Sequence, residues 1–347
     1  MTRVTHLGID LHAKSSWWCG VSAEGEVVVN QDTPNDWLAL DAALRRCRGR
    51  VVAAVEAGGN WPWLVYGLQR RGCEVHLLHA TSVRTCRQSR AKNDRLDAML
   101  LAELAAEPWR AKESWICPEN WVWVRGELRG RRHLVAQRTA TRNRIQALLK
   151  QDNRLPPVTD LFGVQGLTWL AGLRLPARLR ATLEALLAVE AEHGRQIAAL
   201  EDELWPLTQT ESLMRRIVAL PQAGPVTALT IALESGDFAR FRNAEAYAAH
   251  CGLAPGTFES AGKRRDARLC PQCHEALKEV YGEWGFRLLS HGAPGPAWRA
   301  VQESYRDHPL SEAKFMLARK ITGAVRAMAV REEDFVVTRL IRHAKMA

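Results

Sequence analysis

Val4-Thr5-His6-Leu7-Gly8-Ile9-Asp10 is an apolar run that ends on a lone carboxylate, and the reading of the remaining chain depends on it. Its brief alternation predicts a strand. Aspartate is disfavoured inside strands, so Asp10 is expected at the strand's exit, where it becomes a candidate metal ligand. Two later segments place carboxylates in similar settings. Glu56 ends the run Val51-Val52-Ala53-Ala54-Val55, and Asp94 and Asp97 fall in Lys92-Asn93-Asp94-Arg95-Leu96-Asp97. Each has a plain alternative: a cap for Asp10, a strand-end charge for Glu56, and a helix N-cap beside a first-turn acid for Asp94 and Asp97. Their occurrence as an ordered set is what points to function.

Working outward, two further strands are expected around residues 16–21 and 26–30, with a turn at Glu24-Gly25 between them. A helix over about 35–46, the strand ending at Glu56, a Gly58-Gly59 break, a helix over about 62–71 and a strand over 74–78 follow. Three strands, helix, strand, helix, strand and then helices imply a mixed sheet covered by helices. The ribonuclease H-like α/β fold has this order, with its first and fourth strands adjacent at the centre. In that arrangement Asp10 and Glu56 would finish on the same side of the sheet. Neighbouring strands lie ~4.8 Å apart, so two such carboxylates can bridge a hard cation.

Asp94 and Asp97, three residues apart, share one helical face and could point into the same pocket. Carboxylates that converge repel one another unless cations intervene. Two metals ~3.5–4 Å apart then stabilise the attacking and leaving oxygens of an in-line phosphoryl displacement. Mg²⁺ is the expected ion, because the candidate ligands are carboxylates with no His or Cys at matching positions. The basic segment 84–92, with Arg87, Arg90 and Lys92, leads into the aspartates. It reads either as a grip on a phosphate backbone or as a solvated face.

The 347 residues allow two or three domains, read here as 1–110, 111–212 and 213–347. A formal charge of +10 and a pI of about 9.5 call for an anionic partner. Arginine far outnumbers lysine, which suits bidentate phosphate contacts or reflects a GC-rich genome. The eight cysteines are scattered, and neither a signal peptide nor a spanning apolar stretch is read, so a cytoplasmic setting and no membrane partner are expected. Cys270-Pro271-Gln272-Cys273-His274 spells a haem-attachment pattern. Without export, and without a second ligand pair for zinc, it reads as coincidence.

From about 120 to 150 the pattern is helical, with Val124, Leu128, Leu134, Val135, Ile145 and Leu149 on one stripe. Arg125, Arg129 and Arg132 lie off that stripe, and Arg131, Arg138 and Arg142 fall on it. Arginines in such places need partners, either carboxylates or nucleic-acid phosphates, and their number favours phosphates. Trp115, Trp121 and Trp123 are expected to pack, with base stacking the alternative. After a linker containing Pro156-Pro157, positions 179, 183, 186, 190, 193, 197, 200 and 204 follow a four-three spacing with Glu190 and His193 as its polar members. This predicts a helical pair, formed within the chain or as a coiled coil between copies.

The C-terminal third begins near Leu213. Residues 219–228 read as helix, tight turn, helix, a pattern that presents backbone N–H groups to a phosphate. A loop over 251–265 then carries Ser260, followed by Lys263, Arg264 and Arg265. A serine beside three cations suits attack on a phosphodiester, although Ser-Ala-Gly also makes a plain turn. An arginine-bearing helix is expected over about 311–330.

Together, Gly8-Ile9-Asp10-Leu11-His12, Val55-Glu56-Ala57 and Lys92-Asn93-Asp94-Arg95-Leu96-Asp97-Ala98 resemble the RuvC-like domain of the DEDD-type insertion-sequence transposases. The 220–228 turn, Gly252-Leu253-Ala254-Pro255, Ser260-Ala261-Gly262-Lys263 and the 318–329 segment resemble that family's serine-bearing C-terminal domain. The resemblance covers nearly the whole chain in order. It implies that Asp10, Glu56, Asp94 and Asp97 bind Mg²⁺, and that Ser260 forms a covalent phosphoserine link to DNA. It also implies that a structured non-coding RNA from the element pairs with donor and target DNA. The family's active site is composite, the carboxylates of one protomer being completed by the serine of another, so a dimer or tetramer is implied. Two departures stand out: Glu259 replaces the serine that often precedes the nucleophile, and the Cys270–His274 stretch replaces a simpler basic turn.

Serine chemistry keeps the energy of the broken phosphodiester in the covalent link, in keeping with the absence of a P-loop motif. The alternatives are a metal-dependent junction-resolving nuclease in which Ser260 is structural, and a non-catalytic nucleic-acid-binding protein.

Overall fold

Successive side chains of a strand point to opposite faces, and in the strand Val4–Leu11 this separates Leu7 and Ile9 from Gly8 and Asp10. The computed structural model describes residues 3–87, 93–254, 258–260, 263–265 and 273–341. Contacts divide the chain into two compact units, Met1–Val122 and Trp123–Ala347.

The first unit is a mixed α/β domain. In order it contains β1 (Val4–Leu11), β2 (Ser15–Ser22), β3 (Val27–Pro34), α1 (Trp37–Leu44), β4 (Arg50–Glu56), α2 (Trp61–Gln69), β5 (Glu74–Leu78), α3 (Ala80–Cys86) and α4 (Asp94–Ala106). The five strands form one sheet in the order β3-β2-β1-β4-β5. β1 runs antiparallel to β2 and parallel to β4, pairing Ile9 with Val55. β5 is parallel to β4. The expected sheet is therefore present, with the first and fourth strands side by side.

Each face of the sheet has its own cover. Leu7, Ile9, Val51, Ala53 and Val55 pack with Leu40, Leu64 and Leu68 of α1 and α2. Val52 and Ala54 pack on the other side with Val83 of α3 and Leu101, Leu104 and Ala105 of α4. By the same alternation, Asp10 follows Gly8 and Glu56 follows Ala54 onto the α4 face. Gly8 sets how closely α4 lies: a Cβ there would stand 1.9 Å from the Ala98 carbonyl oxygen and 2.2 Å from the Ala102 amide nitrogen.

A long helix, α5 (Glu119–Gln151), spans the boundary between the units. Among the described residues, the second unit is helical apart from one short strand pair. It continues with α6 (Val164–Gly172), α7 (Ala177–Leu204), α8 (Ser212–Val218), α9 (Pro225–Ser235), α10 (Ala244–His250), β6 (Phe258–Ser260), β7 (Lys263–Arg265), α11 (Glu275–His291), α12 (Pro296–Glu303) and α13 (Leu310–Arg331). α7 buries Leu183, Glu190, Ile197 and Leu204, every seventh residue, and its partner is α5 of the same chain. Ile145, Leu148 and Leu149 of α5 share a core with Leu183, while Arg142 meets Glu190 and Arg131 meets Glu201, so the two helices run antiparallel.

Two local expectations change. Ser260 ends a strand that pairs with Lys263, where an open loop was expected. Residues 261–262 lie outside the described residues. Trp123 is 77% exposed, not packed, because it sits ~100° of helical rotation off the apolar stripe that begins at Val124. No helix among the described residues is long and apolar enough to cross a membrane.

Candidate metal centre

Asp10 leaves β1 beside the end of β4, where Glu56 is the last strand residue. The first turn of α4 faces them with Asp94 and Asp97. That turn is fixed by Asn93, whose side chain accepts a hydrogen bond from the Arg95 amide at 2.9 Å. Acidic residues also suit this position because the helix N-terminus carries partial positive charge.

The sequence reading missed one member of the group. His12 Nε2 lies 3.1 Å from Asp10 Oδ2 and 3.5 Å from Asp94 Oδ2. One ligand atom from each of Asp10, His12 and Asp94 can be chosen so that all lie within 4.8 Å of one another. The expectation of no matching histidine is thus corrected. The signal was present, since residues i and i+2 of an extended segment share a face and Asp10 and His12 stand in that relation.

Glu56 and Asp97 lie outside that trio. Asp97 is buried, and its Oδ2 receives Arg87 Nη2 at 3.0 Å. Arg87, expected to meet nucleic acid, here neutralises a carboxylate of the site. Arg90 and Lys92 lie outside the described residues.

Burial is the leading influence on the carboxylates of the site, with neighbouring charges second. Burial, reinforced by the charges of Asp97 and Asp94, pushes the Asp10 carboxyl above its ordinary range in spite of His12. Burial also raises Glu56, reinforced by Asp10 and Asp97 and opposed by Arg87 and Arg84. A divalent cation relieves that cost, and the donors present fit one.

In the second unit, all six arginines discussed for α5 have carboxylate partners. Arg125 and Arg129 converge on Glu234, whose side chain is 2% exposed, at 2.7 and 2.8 Å. Burial favours the protonated form of Glu234. The His274, Arg129 and Arg125 hydrogen bonds, with the Arg125 charge, outweigh it and hold the carboxyl well below its usual range. Arg132 reaches Glu279 at 2.6 Å and Glu275 at 3.1 Å. Arg138 and Arg142 both bond Glu190 at 2.8 Å, and Arg131 bonds Glu201 at 2.6 Å. These are the carboxylate partners that the sequence reading weighed against phosphates.

Ser260, Lys263, Arg264 and Arg265 occupy the β6–β7 hairpin. Of the Cys270–His274 motif, residues 270–272 lie outside the described residues; His274 Nε2 stands 3.2 Å from Glu234 Oε2, and Cys273 is a free thiol.

Two family models match the chain. Residues 7–153 match the DEDD transposase model of the IS110 group, and residues 214–299 match the model described as transposase IS116/IS110/IS902 family. The chain is 24% identical over 309 residues to the transposase for insertion sequence element IS1111A of Coxiella burnetii, covering 84% of this chain and 79% of that protein. It is 26% identical over 246 residues to a probable family 20 transposase of Pseudomonas aeruginosa, covering 70% of each. Over 269 residues it is 24% identical to the transposase for insertion sequence element IS1328 of Yersinia enterocolitica, covering 76% of this chain and 77% of that one. With both family models matching in order along the chain, it belongs to the DEDD-type insertion-sequence transposases.

Proposed function

We propose that this transposase cuts and rejoins DNA by a serine reaction assisted by Mg²⁺, and that a structured RNA from its own element selects the DNA partners. The observation that carries the reading is the convergence of Asp10, Asp94 and His12, with Glu56 beside Asp10 and Asp97 in the same helical turn as Asp94. The strand order, with β2 antiparallel to β1 and β4 parallel to it, supports a ribonuclease H-like, RuvC-like reading of the first unit.

In this account Ser260 Oγ bonds to phosphorus as a backbone P–O bond breaks, and its proton leaves with the departing oxygen or a nearby base. The phosphodiester energy is kept in the phosphoserine, so rejoining needs no nucleotide cofactor. Asp10, Glu56, Asp94 and Asp97 would hold the ion. Bound there, it supplies Lewis-acid stabilisation to the oxygens entering and leaving phosphorus. Lys263, Arg264 and Arg265 offset charge on the phosphate, and Arg87, Arg90 and Lys92 hold the DNA backbone. Arg129 and Arg132 keep 57% and 41% of their side-chain surface exposed while paired and can add phosphate contacts. Arg125, only 16% exposed, acts mainly as Glu234's partner.

The carboxylates and the serine of one working site come from different copies, so the active form is a dimer or tetramer. The segments 1–110, 111–212 and 213–347 then serve as metal domain, helical joint and serine domain of a cytoplasmic enzyme. The test is to trap a protein–DNA adduct with DNA carrying the element's ends and the transcript flanking the gene. The adduct should form with wild type and vanish in Ser260→Ala. DNA cleavage that persists in that variant, without adduct, would favour a junction-resolving nuclease built on the carboxylates alone.

A further inference from the structure

The geometry points to His12 as a direct ligand of the divalent ion, giving this transposase a mixed nitrogen and oxygen site where the four DEDD carboxylates alone would offer only oxygen. This inference rests on the proposed metal centre and adds a residue to it.

Three observations carry it. First, His12 Nε2 lies 3.1 and 3.5 Å from carboxylate oxygens of Asp10 and Asp94. Adjacent ligand atoms around a six-coordinate ion with bonds of ~2.1 Å stand about 3 Å apart, so His12 Nε2 lies from each carboxylate oxygen at close to the spacing of neighbouring ligands. Second, the backbone of His12 is held on several sides. Its carbonyl accepts hydrogen bonds from Asn35 Nδ2 at 2.8 Å and Asn60 Nδ2 at 3.2 Å, and its amide donates to the Ser15 carbonyl at 3.1 Å. Asn35 follows β3 and Asn60 follows Glu56 by four residues, so two loops converge on one exposed residue between β1 and β2. Such a frame suits a metal ligand, whose position must be set before the ion arrives. Third, ligand atoms of Asp10, His12 and Asp94 lie within 4.8 Å of one another, so the imidazole stands among the carboxylates proposed to hold the ion.

An imidazole donor shifts preference along the divalent series, because nitrogen suits later first-row ions better than it suits Mg²⁺. The site should therefore bind Mn²⁺ more tightly than Mg²⁺, and His12 should account for much of the difference. Asn35 and Asn60 act as positioning residues for that ligand.

The test uses the full-length protein loaded with less than one equivalent of Mn²⁺, read by pulsed electron paramagnetic resonance for coupling to ligand nitrogen, with calorimetry for affinity. Wild type should show a directly bound imidazole nitrogen. In His12→Ala and His12→Gln that coupling should disappear and Mn²⁺ affinity fall about ten-fold. His12→Asp should restore Mg²⁺ binding without the nitrogen signal. Thermal melting of each variant separates loss of a ligand from loss of fold. Mn²⁺ bound with no nitrogen coupling, or with coupling unchanged in His12→Ala, would overturn the role of His12 and leave the carboxylate centre standing. No Mn²⁺ binding by the wild type would overturn both.

Discussion

Gly8 and Ala98 meet backbone to backbone: no side chain fits between β1 and α4, since a Cβ on Gly8 would stand 1.9 Å from the Ala98 carbonyl oxygen. This contact fixes the height of α4 above the sheet. Because Asp10 lies two residues beyond Gly8 and Asp94 and Asp97 open α4, it also sets the distance across the proposed metal centre.

Gly8→Ala should therefore damage stability and site together. Forcing a methyl group into a filled space costs about 1–3 kcal/mol, and more where backbone must move. Denaturant titration should show that loss, and calorimetry should show weakened Mn²⁺ binding even where the variant is fully folded. A variant with unchanged stability would mean that α4 is not seated as described.

Arg87 and Asp97 give a second prediction. Arg87→Ala removes the cation that neutralises Asp97 and opposes the raised Glu56, leaving the centre more negative. Divalent-ion affinity should rise several-fold by calorimetry, while binding to duplex DNA at low salt should weaken. Weaker ion binding would show that Arg87 supports the centre rather than competing with the ion.

The second unit should lose stability as pH falls, in two stages. Burial, with Arg240 and His274 nearby and Glu234 opposing, lowers His250 to about 4. The unfolded chain therefore takes up this proton from about pH 6.5 downwards while the folded one does not, and stability declines between about pH 6.5 and 4. Glu234 is held below its ordinary value, so its contribution is present above the unfolded pKa and is lost as pH falls through the folded one. Melting temperature against pH should decline through both windows, and His250→Gln should flatten the upper one. A flat wild-type profile between pH 6.5 and 4 would contradict this.

Glu234→Ala removes the buried carboxylate on which Arg125, Arg129 and His274 converge and should cost ~3–5 kcal/mol. Denaturant titration of the variant tests it, and a loss below about 1 kcal/mol would mean that solvent replaces the carboxylate.

The centre of the sheet was legible because β4 is a short apolar run with a clear end at Glu56, whereas β3 continues through polar residues to Pro34, past the end expected at residue 30. The adjacency of β1 and β4 was expected only through the ribonuclease H-like fold that shares this element order, and the sheet has it. His12 was missed because the search was for carboxylates, although its i, i+2 relation to Asp10 was in plain view. The arginines of α5 were harder to read. Their place on the helix could be read, but their partners lie 48 to 147 residues away, among them Glu190, Glu234 and Glu279. A local pattern cannot distinguish such a carboxylate from a phosphate outside the chain.

The metal centre is tested most directly by cleavage of DNA bearing the element's ends, with the flanking transcript present and Mg²⁺ the only divalent ion, comparing wild type with Asp10→Asn. The account predicts a loss on the order of 100-fold or more, with DNA binding little changed. Cleavage by Asp10→Asn at the wild-type rate would contradict it.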